Sequence, residues 1–181
     1  MSALLTRAVC ERAWKVVSLA ADGAHEEDGI TNQNAGTIVV LDPTVAYAPG
    51  VKISSAAVFM DHIDVHHQDW AMYCDYAQAM AMLSWRTGLS SRDVQQTAPH
   101  LFKEPTNGEL GDIKLGGSVV RDGLVVAFCG VQPEFAEWIA DTMAGLLIAM
   151  CRREMTMPGG IMESGNSFVA GLPQRIPSIL R

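Results

Sequence analysis

An α+β domain built on an antiparallel sheet with helices on its faces is what this sequence predicts, and three observations predict it. Two pairs of short β-rich runs are each joined through turn signals, and three segments carry apolar residues at helical spacing. The order helix, hairpin, helices, hairpin, helix lacks the regular strand-helix alternation of a parallel sheet. At 181 residues the chain is long enough for one core. With 49% hydrophobic and 18% charged residues it is too apolar for a disordered chain, and part of that apolar surface is expected in the interface of a homo-oligomer.

The first element is an amphipathic helix from Ala3 to about Ala21, in which Leu5, Ala8, Val9, Ala13, Val16, Val17 and Ala20 recur at steps of three and four. Arg7, Glu11, Arg12 and Lys15 fall between them. Residues 22 to 36 are polar and Gly-rich and read as a loop. Thr37 to Asp42 is a β-branched run stopped by Pro43, and Val51 to Phe59 is a second run after the Pro49-Gly50 turn signal, so a hairpin is expected.

From Trp70 to Trp85, Tyr73, Ala77, Met80, Ala81 and Ser84 form a helical stripe of mostly small residues, with Gly88 as a left-handed cap. Ser90 to Asp93 then has the Ser-x-x-Asp pattern of a new helix start. After a Pro- and Gly-containing loop at residues 99 to 111, two β-rich runs flank Asp122-Gly123, the chemistry of a tight antiparallel hairpin. Pro133 opens a last long helix carrying Phe135, Ile139, Met143, Leu146, Leu147 and Met150, with Arg152 and Arg153 at the negative end of its dipole. Residues 1–155 are thus expected to form one domain, and residues 156–181 an extended arm packed on the domain or on a neighbouring subunit.

Several function classes are disfavoured. A net charge of −7 with no Lys/Arg cluster argues against nucleic acid as a partner. Arg7, Glu11 and Arg12 interrupt the apolar core a secretory signal needs, and no run of about 18 apolar residues exists to span a bilayer, so no membrane partner and a cytoplasmic location are expected. There is no GxSxG elbow, P-loop or GxGxxG after a strand. The cysteines at 10, 74, 129 and 151 form no CxxC pair and read as buried apolar side chains, Cys74 least clearly because histidines lie near it.

Two segments, Ala77 to Val94 with its small-residue helix and turn and Leu115 to Ala140 with its Gly116-Gly117 pair, hairpin and helix, are similar to the GlcG/HbpS family. The resemblance implies a profilin-like sheet flanked by helices, self-association, and binding of haem or a small organic ligand. Two positions depart from the family: Gln78 stands where members commonly carry Lys, and Ala81 where one branch has a Thr proposed to contact haem. Gly116 and Gly117 are expected to allow close backbone approach, either to a ligand or to a neighbouring strand.

The segment from Met60 to Trp70 places Asp61, His62, Asp64, His66, His67 and Asp69 within nine positions. Three readings are open. His62, His66 and Asp61 are a sufficient first shell for a divalent metal, or an imidazole can serve haem. Alternatively His62, His66 and His67, with Asp69 fixing a tautomer, can act as general bases in an isomerase, lyase or hydrolase. The third reading is a solvated loop. Trp85, Arg86 and Cys74 complete the candidate ligand-binding set, Arg86 as a fork for a substrate carboxylate.

Overall fold

The computed structural model describes residues 4–26, 31, 33–64, 68–104 and 111–156. The sheet consists of β1 (Gly36–Leu41), β2 (Ala57–Ile63), β3 (Ser118–Arg121) and β4 (Leu124–Cys129) in the order β2-β1-β4-β3, with all neighbours antiparallel. Two helices, α1 (Arg7–Glu26) and α4 (Pro133–Thr156), cover one face. The other face is covered by α2 (Trp70–Thr87), with α3 (Ser91–Thr97) beside it. The result is the α/β/α layering expected of an antiparallel sheet flanked by helices.

Strand alternation divides the core in two. Ile38, Val40, Phe59, Leu124, Val126 and Phe128 point to α1 and α4, whereas Val39, Leu41, Val125, Ala127 and Cys129 point to α2. Both central strands, β1 and β4, are buried along their whole length, which is why they read as continuous apolar runs rather than alternating ones. In α4 the fully buried positions are largely small, Ala136, Ala140 and Ala144 between Ile139, Met143 and Leu147, so the expected Leu146 and Met150 only flank the contact.

Turn chemistry behaves as the sequence predicts. Asp122 and Gly123 both take positive φ, 50° and 79°, the left-handed pair that a two-residue hairpin turn requires. Ser90 caps α3 by accepting from the Asp93 amide at 3.3 Å, and Gly88 closes α2 with its amide on the Ser84 carbonyl.

Three boundaries differ from expectation. The first helix begins at Arg7, after Thr6 Oγ1 accepts from the Val9 amide, and continues to Glu26 through residues that composition alone assigns to a loop. The second strand is not Val51 to Phe59: Ile53–Ser55 form a 3-10 turn, and β2 starts at Ala57 and runs through Met60, Asp61 and His62. A bulge between Val40 and Leu41 accommodates Val58 in the pairing. Third, Pro99–Leu101 form a short 3-10 turn within the expected loop. The expected C-terminal arm lies outside the described residues.

Candidate functional site

The path of α2 over the sheet decides where a site can form. At its C-terminal end the helix is pinned by hydroxyls that have no access to solvent. Ser118 Oγ donates to the Met80 carbonyl at 3.1 Å and lies 2.6 Å from Ser84 Oγ, which leaves Ser84 as the donor of that second bond. Ser91 Oγ accepts from the Ser118 amide at 3.1 Å, so one serine of β3 ties both α2 and α3 to the edge of the sheet. The small side chains Ala77, Ala81 and Ser84 make that close approach sterically feasible.

Towards its N-terminus α2 passes over β1 and reaches the other edge strand, β2. Here the side chains are larger and partly exposed, and they pair in rungs across a groove. His62 meets Trp70 edge to face at 5.5 Å between ring centres. One step along both elements, Met60 Sδ faces Cys74 Sγ at 3.7 Å. One turn further, Gln78 Nε2 donates to Cys74 Sγ at 3.1 Å. Gln78 and Met60 also line a cavity of about 310 Å³ together with Val39, Ile53, Ala57 and Arg7.

His62 is oriented from beneath. Thr37, fully buried on β1 and paired with His62 in the sheet register, places Oγ1 2.8 Å from His62 Nδ1. That contact occupies Nδ1 and leaves Nε2 as the ring atom for other partners.

The remaining sequence-predicted residues are distributed as follows. Asp61 and His62 are consecutive in a strand and point to opposite faces: Asp61 lines a surface hollow with Glu11, Arg12 and Lys15 of α1. Asp61 and His62 therefore do not converge on one ion, and among the described residues no group of three His, Cys, Asp or Glu side chains forms a metal set. His66 and His67 lie outside the described residues. Asp69 stands at the N-cap position of α2 and its carbonyl accepts from the Tyr73 amide.

Trp85 and Arg86 hold loops of their own chain. Trp85 Nε1 donates to the Val45 carbonyl at 2.8 Å, and its ring packs edge to face on Tyr47. Arg86 pairs with Asp112 and donates to the Leu101 carbonyl, with side-chain exposures of 14% and 11% for the ion pair. Its fork is already filled by an internal carboxylate.

The Gly116-Gly117 pair leads into β3, on the opposite edge of the sheet from His62 in β2. Gly117 serves close packing on a neighbouring strand. Its carbonyl accepts from the Phe128 amide, and a Cβ there would sit 2.5 Å from the Phe128 oxygen at a φ of 141°. Cys10, Cys129 and Cys151 are buried, whereas Cys74 is half-buried in the groove. Burial pushes the Cys10 thiol up to about 12 and the Cys129 thiol up to about 11.

Sequence reasoning missed Thr37, Met60, Trp70 and Gln78. Only the sheet register reveals the first, because Thr37 and His62 are 25 positions apart. A period-two reading of Met60 and His62 could have revealed their shared face.

No protein-family model matches the chain, and no curated protein matches it. Among solved structures, the crystal structure of Klebsiella pneumoniae protein ORFY, a DUF336 and thus GlcG-like protein, is similar with 12% identity and a TM-score of 0.46, covering 76% of this chain and 89% of that chain. A likeness of that extent carries neither ligand nor activity. Among the described residues no helix is long and apolar enough to cross a membrane.

Proposed function

We propose that this chain is a binding protein for a small organic acid with a flat, conjugated body, held in the groove between β2 and the N-terminal half of α2. The observation that carries the reading is the hydrogen bond between Thr37 Oγ1 and His62 Nδ1 at 2.8 Å, with the imidazole also braced against Trp70. An imidazole held from a fully buried hydroxyl is a preorganised polar handle, and the adjoining indole, 44% exposed, is a stacking surface. The neighbouring cavity is mostly apolar and lined by the Gln78 amide and by Arg7, whose Nε pairs with Glu11 and whose terminal nitrogens are the donors suited to a carboxylate.

Haem belongs to the same chemical class, a flat body bearing carboxylates. Ala81 cannot contact it, being fully buried under the sheet with only a methyl to offer. His62 would hold it through its free imidazole nitrogen, and bound haem would supply a visible absorption band and redox chemistry. The self-association expected from composition belongs to this proposal as well, and Val16 and Leu19, 59% and 70% exposed on the outer side of α1, support it.

Titration of the full chain with haemin, followed by absorption, and with benzoate, followed by tryptophan fluorescence, tests the reading. Saturable binding of at least one probe, weakened about tenfold or more by His62→Ala or by Trp70→Ala, is expected. Saturation of neither probe, or equal affinity in both variants, refutes it.

The same Thr37 contact, which holds the imidazole in one orientation, favours a second reading, an enzyme in which His62 is a general base, with His66, His67 and Asp69 contributing from the adjoining segment. A pH–rate profile on an identified substrate that loses its histidine limb in His62→Gln would select this reading over simple binding.

A further inference from the structure

The second rung of the groove has a donor chemistry that an organic ligand does not call for. Met60 Sδ, on β2, and Cys74 Sγ, on α2, lie 3.7 Å apart. Met60 is 41% exposed and Cys74 half-buried, so both sulfurs open on the groove and not on the core. Two metal–sulfur bonds of about 2.3 Å meeting at a near-tetrahedral angle hold their sulfurs about 3.8 Å apart, so the pair already has the spacing of two ligands on one ion. His62 is the next residue of β2 on the same face. Its Nδ1 is occupied by Thr37, which leaves Nε2, and its ring packs on Trp70, one turn before Cys74.

The nature of the donors narrows the ion. A thioether is a poor ligand for magnesium, calcium or manganese, whereas thiolate and thioether together select soft cations, of which Cu(I) is the biological case. We propose that Cys74, Met60 and His62 form a site for one soft monovalent cation, Cu(I). Binding replaces the Cys74 S–H bond by an S–Cu bond and releases that proton to solvent, with no change of oxidation state. Gln78 Nε2, donating to Cys74 Sγ at 3.1 Å, is placed to stabilise the sulfur as it becomes anionic. The other three thiols cannot compete in the folded chain, because all are buried.

This site shares the groove with the organic-ligand reading but does not rest on it. The Ag(I) titration is run without any organic probe and the haemin and benzoate titrations without Ag(I), so the two readings fail separately. The test is calorimetric titration of the full, reduced chain with Ag(I), a redox-inert soft monovalent probe, in chloride-free buffer, repeated anaerobically with Cu(I) against a chromophoric Cu(I) chelator.

One equivalent is expected to bind. Met60→Leu should weaken binding about tenfold or more, Cys74→Ser should abolish the tight site, and Cys151→Ser should leave it unchanged. The Met60 methyl resonance should move on adding Ag(I). Absence of a stoichiometric Ag(I) site, its retention in Cys74→Ser, or an affinity of Met60→Leu within about twofold of the parent overturns the proposal.

Discussion

Replacing Ser118 by Ala should reveal how firmly the C-terminal half of α2 is held on the sheet. The hydroxyl of Ser118 makes two bonds, donating to the Met80 carbonyl at 3.1 Å and receiving from Ser84 at 2.6 Å, and Ser84, Ser91 and Ser118 are all fully buried. Two buried neutral hydrogen bonds are together worth about 2 kcal/mol, and an orphaned hydroxyl adds a desolvation cost of about 1 kcal/mol or more. Ser84 can recover part of that cost by turning its hydroxyl back onto the Met80 carbonyl, four residues earlier in the same helix. The net loss for Ser118→Ala is therefore about 2 kcal/mol, or about 4 to 8 °C in Tm for a domain of this size. Ser84→Ala removes one bond and should cost about 1 kcal/mol. In the double variant no hydroxyl is stranded, so its loss should fall short of the sum of the two singles by about 1 kcal/mol. Urea denaturation of the four proteins supplies the cycle. A loss below about 0.5 kcal/mol for Ser118→Ala, or strict additivity, would refute the picture of a coupled buried network.

Three further outcomes follow from groups whose environments are settled by burial. Arg86→Ala strands the Asp112 carboxylate, which is 11% exposed and also accepts from the Lys103 amide, so a stability loss of about 2 to 3 kcal/mol is expected in urea, with benzoate and haemin affinity unchanged; lost affinity at unchanged stability would instead make Arg86 a ligand residue. In the native chain Cys74 should be the thiol that a soluble disulfide reagent modifies at pH 8, the rest reacting only on unfolding. Because Cys10 and Cys129 titrate higher folded than unfolded, their contribution is complete below pH 9 and declines as pH rises from there towards 11 to 12, so denaturation midpoints should fall over that window. Cys10→Ala should flatten the fall, and midpoints constant from pH 8 to 11 would contradict the buried-thiol assignment.

What could be read from sequence and what could not divides along the range of the interactions. The Asp122-Gly123 turn, the Ser90 cap and the small-residue stripe of α2 depend on neighbours within a few residues, and all were legible. β2 was not. Its β-branched cues, Val51 and Ile53, precede the strand, while the strand itself carries Asp61 and His62, residues that β propensity disfavours or ignores. β2 is an edge strand with only one paired side, and an inward or flanking charge at such a strand discourages further pairing, which makes Asp61 informative about position once the sheet order is known. The histidine cluster was visible as composition, but its geometry was not, because a strand separates Asp61 from His62 where a helix or a folded loop would have joined them. The partner that orients His62 comes from another strand through pairing that no local pattern encodes.

The location of the groove follows less from the histidines than from a gradient of side-chain size along α2. From Ala77 onward the buried face presents Ala81 and Ser84, which let the helix settle against β4 and β3, with Met80 seated against Gly117. Before Ala77 the residues are Trp70, Met72, Tyr73 and Cys74, of which only Tyr73 is buried. Over β2 the bulky end of the helix meets the strand through its side chains, Trp70 on His62 and Cys74 on Met60. Tyr73 then takes up the space on the inner side, with its hydroxyl accepting from Gln33, which also bonds the Gly130 carbonyl. What remains on the outer side is a cleft whose walls are the side chains too large to enter the interface. Polar and sulfur-bearing residues can occupy such a cleft with limited desolvation cost, since each keeps part of its surface in water. His62, Met60 and Cys74 are therefore placed where reactive side chains are tolerated by the fold, and the buried Thr37 hydroxyl adds what packing alone does not, a fixed orientation of the imidazole.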